Sequence, residues 1–98
     1  MASKNPDIVA VEACGISVEV DSAALRDVRF ATAMGAVSDE SLPDGKKMVW
    51  FVRAIEVLFG GNAYAVQTQL AEANGGHADS ELFNEFLTKV LEAVGSKN

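Results

Sequence analysis

Residues 8–20 read Ile8-Val9-Ala10-Val11-Glu12-Ala13-Cys14-Gly15-Ile16-Ser17-Val18-Glu19-Val20. Ile8, Val9 and Val11 precede a turn-like Cys14-Gly15, after which Ile16, Val18 and Val20 alternate with Ser17 and Glu19. Period-two alternation places every second side chain on one face, so this stretch predicts a half-buried β-hairpin. An isolated hairpin is marginal in water, and its apolar face must be covered by something else in the chain. The cover has to come from residues beyond Val20, where the period changes from two to three and four.

Asp21-Ser22 offers side-chain oxygens suited to a helix N-terminus, and Ala24, Leu25, Val28, Ala31 and Thr32 come after it at helical spacing. These residues predict a first helix over 22–34, stopped at Gly35. Polar and turn residues crowd Ser38-Asp39-Glu40-Ser41-Leu42-Pro43-Asp44-Gly45, which reads as a linker. Within it Ser41 and Asp44 have capping-box spacing, and Pro43 suits a first turn because its missing N–H has no partner there anyway. A second helix then runs to Phe59 on a stripe of Met48, Phe51, Val52, Ile55, Leu58 and Phe59, and is expected to be the central core helix. Gly60-Gly61 ends it with the left-handed backbone that glycine adopts at little cost. Asn62 is placed to cap a third helix with a weaker face of Tyr64, Val66, Leu70 and Ala73, stopped by Asn74-Gly75-Gly76. Asp79 opens a fourth, with Glu81 in its first turn and Leu82, Phe83, Phe86, Leu87, Val90, Leu91 and Val94 along it. The expected fold class is mostly α with an α+β start: an N-terminal hairpin and about four helices in one domain over 7–95. Residues 1–6 are expected to be a mobile arm and 96–98 a polar tail.

Composition limits what such a domain does. Ninety-eight residues, 49% of them hydrophobic and 22% charged, suffice for one core and not two. Fourteen carboxylates against eight basic side chains give a net charge of −6, a field that repels phosphate backbones and anionic lipid. The expected partners are basic or neutral proteins, with no nucleic acid and no membrane. No apolar run approaches the roughly 20 residues of a bilayer span, and the start Met1-Ala2-Ser3-Lys4-Asn5-Pro6-Asp7 lacks a signal peptide's apolar stretch. Cys14 is the only cysteine, so no internal disulfide forms, consistent with a reducing cytoplasm.

Catalytic constellations lack parts. Nucleophilic catalysis needs a nucleophile, a base and a group to orient the base; the one histidine, His77, sits between Gly76 and Ala78 in an expected loop, and Cys14 reads as a small half-buried turn residue. Structural zinc takes four Cys or His ligands, and Cys14 and His77 are the whole supply. The acidic linker lacks the alternating ligands and late glutamate of a calcium loop. Neither glycine pair matches a phosphate-binding pattern, and no lysine comes after either. The recognition helix of an imagined helix-turn-helix, Ala63 to Ala73, contains no Lys or Arg. The chain is expected to be no enzyme and to hold no metal or cofactor.

What remains is apolar surface. Phe30, Phe51, Phe59, Phe83, Phe86, Trp50 and three methionines exceed what a thin four-helix shell hides with ease. The fourth helix, apolar over more than one face, reads as a groove, an oligomer seam or a partner site. Trp50 reads either as core or as an interface anchor, tryptophan being enriched where binding energy concentrates. The candidate partner-binding set is Trp50, Phe51, Phe83 and Phe86.

The segment Asp44-Gly45-Lys46-Lys47-Met48-Val49-Trp50-Phe51-Val52-Arg53-Ala54-Ile55-Glu56-Val57-Leu58-Phe59-Gly60 resembles the central helix of small tail assembly chaperones of long-tailed phages and prophages. The sequel from Tyr64 to Gly76 and the last helix from Asp79 resemble the same family, and the pattern covers most of residues 7 to 95. The resemblance is one of pattern, length and acidity. It implies a non-enzymatic morphogenesis factor in the cytoplasm of the bacterial host, absent from the finished virion. Such a factor coats the tape measure protein, recruits tail tube subunits and self-associates. It also implies that this chain is the short product of a gene with a frameshifted longer one. A small acidic inhibitor or regulatory adaptor of a nucleic-acid-handling protein is the alternative, and it requires carboxylates clustered on one exposed face.

Overall fold

The computed structural model describes residues 7–95; the expected arm at 1–6 and tail at 96–98 lie outside them. Strands β1 (Ile8–Ala13) and β2 (Ile16–Asp21) pair antiparallel in the register Val9↔Val20, Val11↔Val18 and Ala13↔Ile16. All six of those side chains are buried, while Ala10, Glu12, Ser17 and Glu19 face outward. The hairpin closes on Cys14 and Gly15, with φ of 53° and 89°. Two central residues with positive φ make the turn whose twist matches paired strands. Glycine adopts that backbone freely, whereas cysteine does so under strain. The turn rests on the end of the third helix, where the Asn74 amide donates to the Cys14 carbonyl at 3.0 Å and the Leu70 carbonyl at 2.8 Å.

Two short elements replace the single helix expected over 22–34. A 3-10 helix, Ser22–Arg26, is capped by Asp21, whose carboxylate accepts from the Ala23 amide at 2.9 Å. The chain then breaks at the extended Asp27, and α1 (Val28–Val37) begins, with Asp27 accepting from the Arg29 amide at 2.8 Å. Each of these two aspartates starts its own helix, and periodicity alone merges the two helices into one. Gly35 does not stop α1. The inward side is also rotated: Ala33 is buried and Phe30 half-buried, whereas Val28, Ala31 and Thr32, expected to face the core, point to solvent.

Helix α2 (Asp44–Leu58) begins after Pro43, whose carbonyl accepts from the Lys46 and Lys47 amides. The expected Ser41–Asp44 capping box does not form, because Pro43 and not Ser41 holds the N-cap position, and the Ser41 hydroxyl donates to Asp39 at 2.6 Å. Gly60-Gly61 ends α2 as expected. The Gly61 amide reaches the Glu56 carbonyl at 2.8 Å and the Gly60 amide reaches Val57, the paired bonds of a Schellman cap. Helix α3 (Ala63–Ala73) starts after Asn62, which makes no side-chain cap, and ends at Gly75-Gly76. Helix α4 (Ser80–Gly95) is capped by Asp79, which accepts from the Leu82 amide at 2.9 Å.

The central helix is α4, a correction to the expectation for α2. It lies against β1 with Phe83, Phe86, Leu87, Val90 and Val94 buried, while α3 packs on β2 through Val66 and Leu70. Helix α2 enters this core from its midpoint on, with Ile55, Leu58 and the adjoining Phe59 inside it and Phe51 and Val57 half-buried against it. Of its expected stripe Met48 is 60% exposed and Val52 46%. Most of the surplus apolar surface thus lies on α1 and α2, with Tyr64 of α3 and Ile8 of β1 also exposed, and on α4 the flanking Leu82 and Leu91 are half-buried against the core.

The turn supplies a test. Cys14→Asn should raise the unfolding free energy in urea by roughly 0.5–1 kcal/mol, since asparagine tolerates the left-handed region. Gly15→Ala should lower it by about 1 kcal/mol or more, because its φ is 89° and the added Cβ meets the Ala73 Cβ at 3.4 Å.

Candidate functional site

Helix α2 is flanked by two grooves. One, of about 320 Å³, opens between α2, α3 and the start of α4. Met48, Phe51, Val52, Ile55, Ala71 and Phe83 form its apolar lining, with Gln67 and Asn84 as amides and Asp79 as the one formal charge. Its floor continues into the core through stacked rings. Phe51 meets Phe83 edge to face at 6.3 Å, Phe83 lies over Phe86 at 6.4 Å, and Phe86 over Phe59 at 6.2 Å. Such pairs fix ring orientation as well as burying area. A floor held this way is preformed, while the unbranched Met48 side chain at the lip adapts to what enters.

The other groove, of about 420 Å³, lies between α1 and α2 and is lined by Val28, Arg29, Thr32, Trp50, Arg53, Glu56 and Val57. Arg53, one turn along from Trp50, places its guanidinium 4.7 Å from the centre of the indole ring. Arg29 grips Asp27 with two donors, at 3.0 Å and 2.7 Å.

The candidate set Trp50, Phe51, Phe83 and Phe86 is therefore divided. Phe51 and Phe83 share the first groove, Trp50 lines the second, and Phe86 is fully buried beneath Phe83, where only an unfolded chain offers it to a partner. Sequence reading misses Met48 and Val52 as surface, because helical spacing identifies an apolar stripe without saying which part of it is covered. It also misses Arg53, although a basic residue three positions after Trp50 is a legible signal for a cation–π pair.

His77 is exposed in the loop before α4, and Cys14 is half-buried in the hairpin turn. Among the described residues no three His, Cys, Asp or Glu side chains come together to hold a metal ion. No single described helix is long and apolar enough to cross a membrane, and α2 and α3 are bent by 92° at their glycine break. Comparison with known proteins finds no matching family model, no matching curated protein and no matching solved structure.

Arg29 holds the Asp27 carboxyl down from the ordinary 3.8 to about 2, first through its side-chain hydrogen bonds and then through its backbone amide. A carboxyl depressed by folding stabilises the folded state fully above its unfolded value, and that contribution fades as pH falls toward the folded one. The Arg29 amide resonance should accordingly titrate with a midpoint near 2, and Arg29→Ala should move the midpoint up toward the ordinary range. The division of the aromatic set is tested by truncation. Phe86→Ala should cost about 3–5 kcal/mol, much of a small domain's stability, whereas Met48→Ala should stay within about 0.5 kcal/mol.

Proposed function

We propose that this chain is a non-enzymatic protein-binding factor, a tail assembly chaperone of long-tailed phages or prophages. It holds an amphipathic helix of a client in the groove between α2, α3 and α4. One observation carries the reading: Met48 and Val52 are exposed above a preformed Phe51–Phe83 floor in a groove whose only formal charge is Asp79. An apolar surface of this kind costs solubility and is retained where a partner covers it. Helix-in-groove recognition lays the apolar face of a helix into such a groove, and Gln67, Asn84 and Asp79 supply the polar groups of its lining.

The family resemblance supplies the client. The segment that carries it, 44–60, is α2 itself with its glycine stop, and α2 walls both grooves. The client is then the tape measure protein, kept soluble in the bacterial cytoplasm until tail tube subunits assemble around it, with the chaperone absent from the finished particle. The inhibitor alternative needs carboxylates clustered on one face. Here Glu12 and Glu19 lie on the hairpin's outer face, Asp39 and Glu40 between α1 and α2, Glu72 on α3, and Glu81, Glu85 and Glu92 on α4.

The gene's neighbourhood should contain an overlapping shifted frame and a very long coiled-coil reading frame. The product of that long frame, co-expressed with this chain, should bind it at about 1 M salt, where charges are screened beyond roughly 3 Å. The double variant Met48→Glu, Val52→Glu should fold normally and weaken that binding at least about tenfold, equivalent to roughly 1.4 kcal/mol. Unrelated neighbouring genes, or full affinity in the double variant, would overturn the reading.

A further inference from the structure

The hairpin has two edges as well as two faces, and with only two strands in the sheet both edges lack a neighbouring strand. Along an antiparallel pair, residues that exchange backbone hydrogen bonds alternate with residues that do not. The Ser22 amide donates to the Asp7 carbonyl at 2.8 Å, which fixes the phase: Val9 with Val20 and Val11 with Val18 are the bonded pairs. The N–H and C=O groups of Ser17 and Glu19 therefore point away from β1, and among the described residues they meet no partner. Beside this edge lies a hollow of about 370 Å³ whose far wall is α3. It touches Ser17, Val18 and Glu19 in succession, and because strand side chains alternate between faces, one hollow borders three in a row only along the edge. Phe59, Ala65 and Val66 add apolar surface, Asn62 and Gln69 add amides, and Glu19 is the one formal charge. A second hollow shares Glu19 and Phe59 with it and adds Asp21; the Asp27 carboxylate there is answered by Arg29, so Glu19 and Asp21 make this groove negative.

We infer that the free edge of β2 and the facing wall of α3 form a strand-addition site, taking an extended segment of a partner protein in which apolar and basic residues alternate. The backbone of that segment pairs with Ser17 and Glu19. A basic side chain opposite Glu19 lies beside its carboxylate on the outer face of the sheet, and the residues on either side of it turn the other way, onto Val18, Phe59 and Val66. Main-chain hydrogen bonds give such an addition its strength, and alternate side chains give it selectivity. Charge complementarity selects the occupant, since an acidic strand sets like charges directly opposite Glu19. A second copy of the sheet is a poor occupant for the same reason: β2 brings its own carboxylates, and neither β1 nor β2 contains a lysine or arginine. Native sheets guard a free edge with charge, and here that charge repels self-pairing while attracting a basic strand. The site shares no lining residue with the Met48–Phe83 groove.

The probes are two short synthetic peptides capped at both ends, with valine alternating with lysine in one and with glutamate in the other. At saturation the lysine peptide should slow hydrogen exchange of the Ser17 and Glu19 amides at least about tenfold, because both amides then donate to the added strand. It should also bind roughly tenfold more tightly than the glutamate peptide. Methylating the backbone nitrogens of its lysines keeps the charge, removes the donors, and should abolish the protection. Glu19→Lys, a change at an exposed position, should reverse the preference between the peptides and leave the thermal unfolding midpoint in place. Met48→Glu, Val52→Glu should leave both readouts intact, which separates failure here from failure of the client groove. Absence of saturable binding by the lysine peptide, equal binding of the two, or binding that leaves both amides unprotected would overturn the inference. So would protection of Ser17 and Glu19 that grows with protein concentration when no peptide is present, since a second copy of the chain would then own the edge.

Discussion

Everything in this molecule hangs on covering one face of a two-stranded sheet. Val9, Val11, Ala13, Ile16, Val18 and Val20 all point the same way, and a hairpin with such a face does not stand alone in water. Helix α4 supplies the cover against β1 and α3 against β2. Phe86, with none of its surface exposed, lies at the centre of the aromatic stack inside that cover. The turn at Cys14-Gly15 is tied to the end of α3 by Asn74, so the sheet and its cover are registered against each other.

That arrangement leaves the α1–α2 pair with little of the core. A two-stranded sheet has room for about two helices on one face, and α3 and α4 occupy it. Helix α2 reaches the core only from Phe51 onward, and α1 packs on α2 and the 3-10 turn before it. Residues 48–57 of α2 consequently have a groove on each side, and both owe their depth to the helix standing out from the sheet-covering helices. Helices α1 and α2 pack mainly on each other, so the rest of the chain encloses this pair little. The same constraint that builds the core thus creates the groove in which client binding is proposed.

Local signals are legible where one residue type answers one backbone demand. The alternation from Ile8 to Val20 predicts the strands, Gly60-Gly61 and Gly75-Gly76 the helix stops, and Asp79 the start of α4, because each works within a few residues of itself. The first helix is misread where two local signals compete. Asp21 and Asp27 are both sound caps, and the apolar residues after each fit a single helical wheel. Ser41 misleads for a similar reason, since Pro43 also suits a helix start and takes the N-cap position two residues later.

The order of strands and helices, the acidic balance and the scarcity of histidine and cysteine can all be read from the chain as written, since these depend on near neighbours and on counting. Which apolar stripe lies inside is a matter of three-dimensional packing. Helices α2 and α4 both carry such stripes, and periodicity cannot rank them, because burial depends on which helix reaches the sheet and fills its width. Once α4 and α3 are seated, Met48 and Val52 of α2's stripe have nothing left to cover them, and Trp50, Phe51, Phe83 and Phe86 fall into three different environments. Helical spacing reports that a face is apolar; whether it meets the core or the solvent is settled by space that the rest of the chain has already taken.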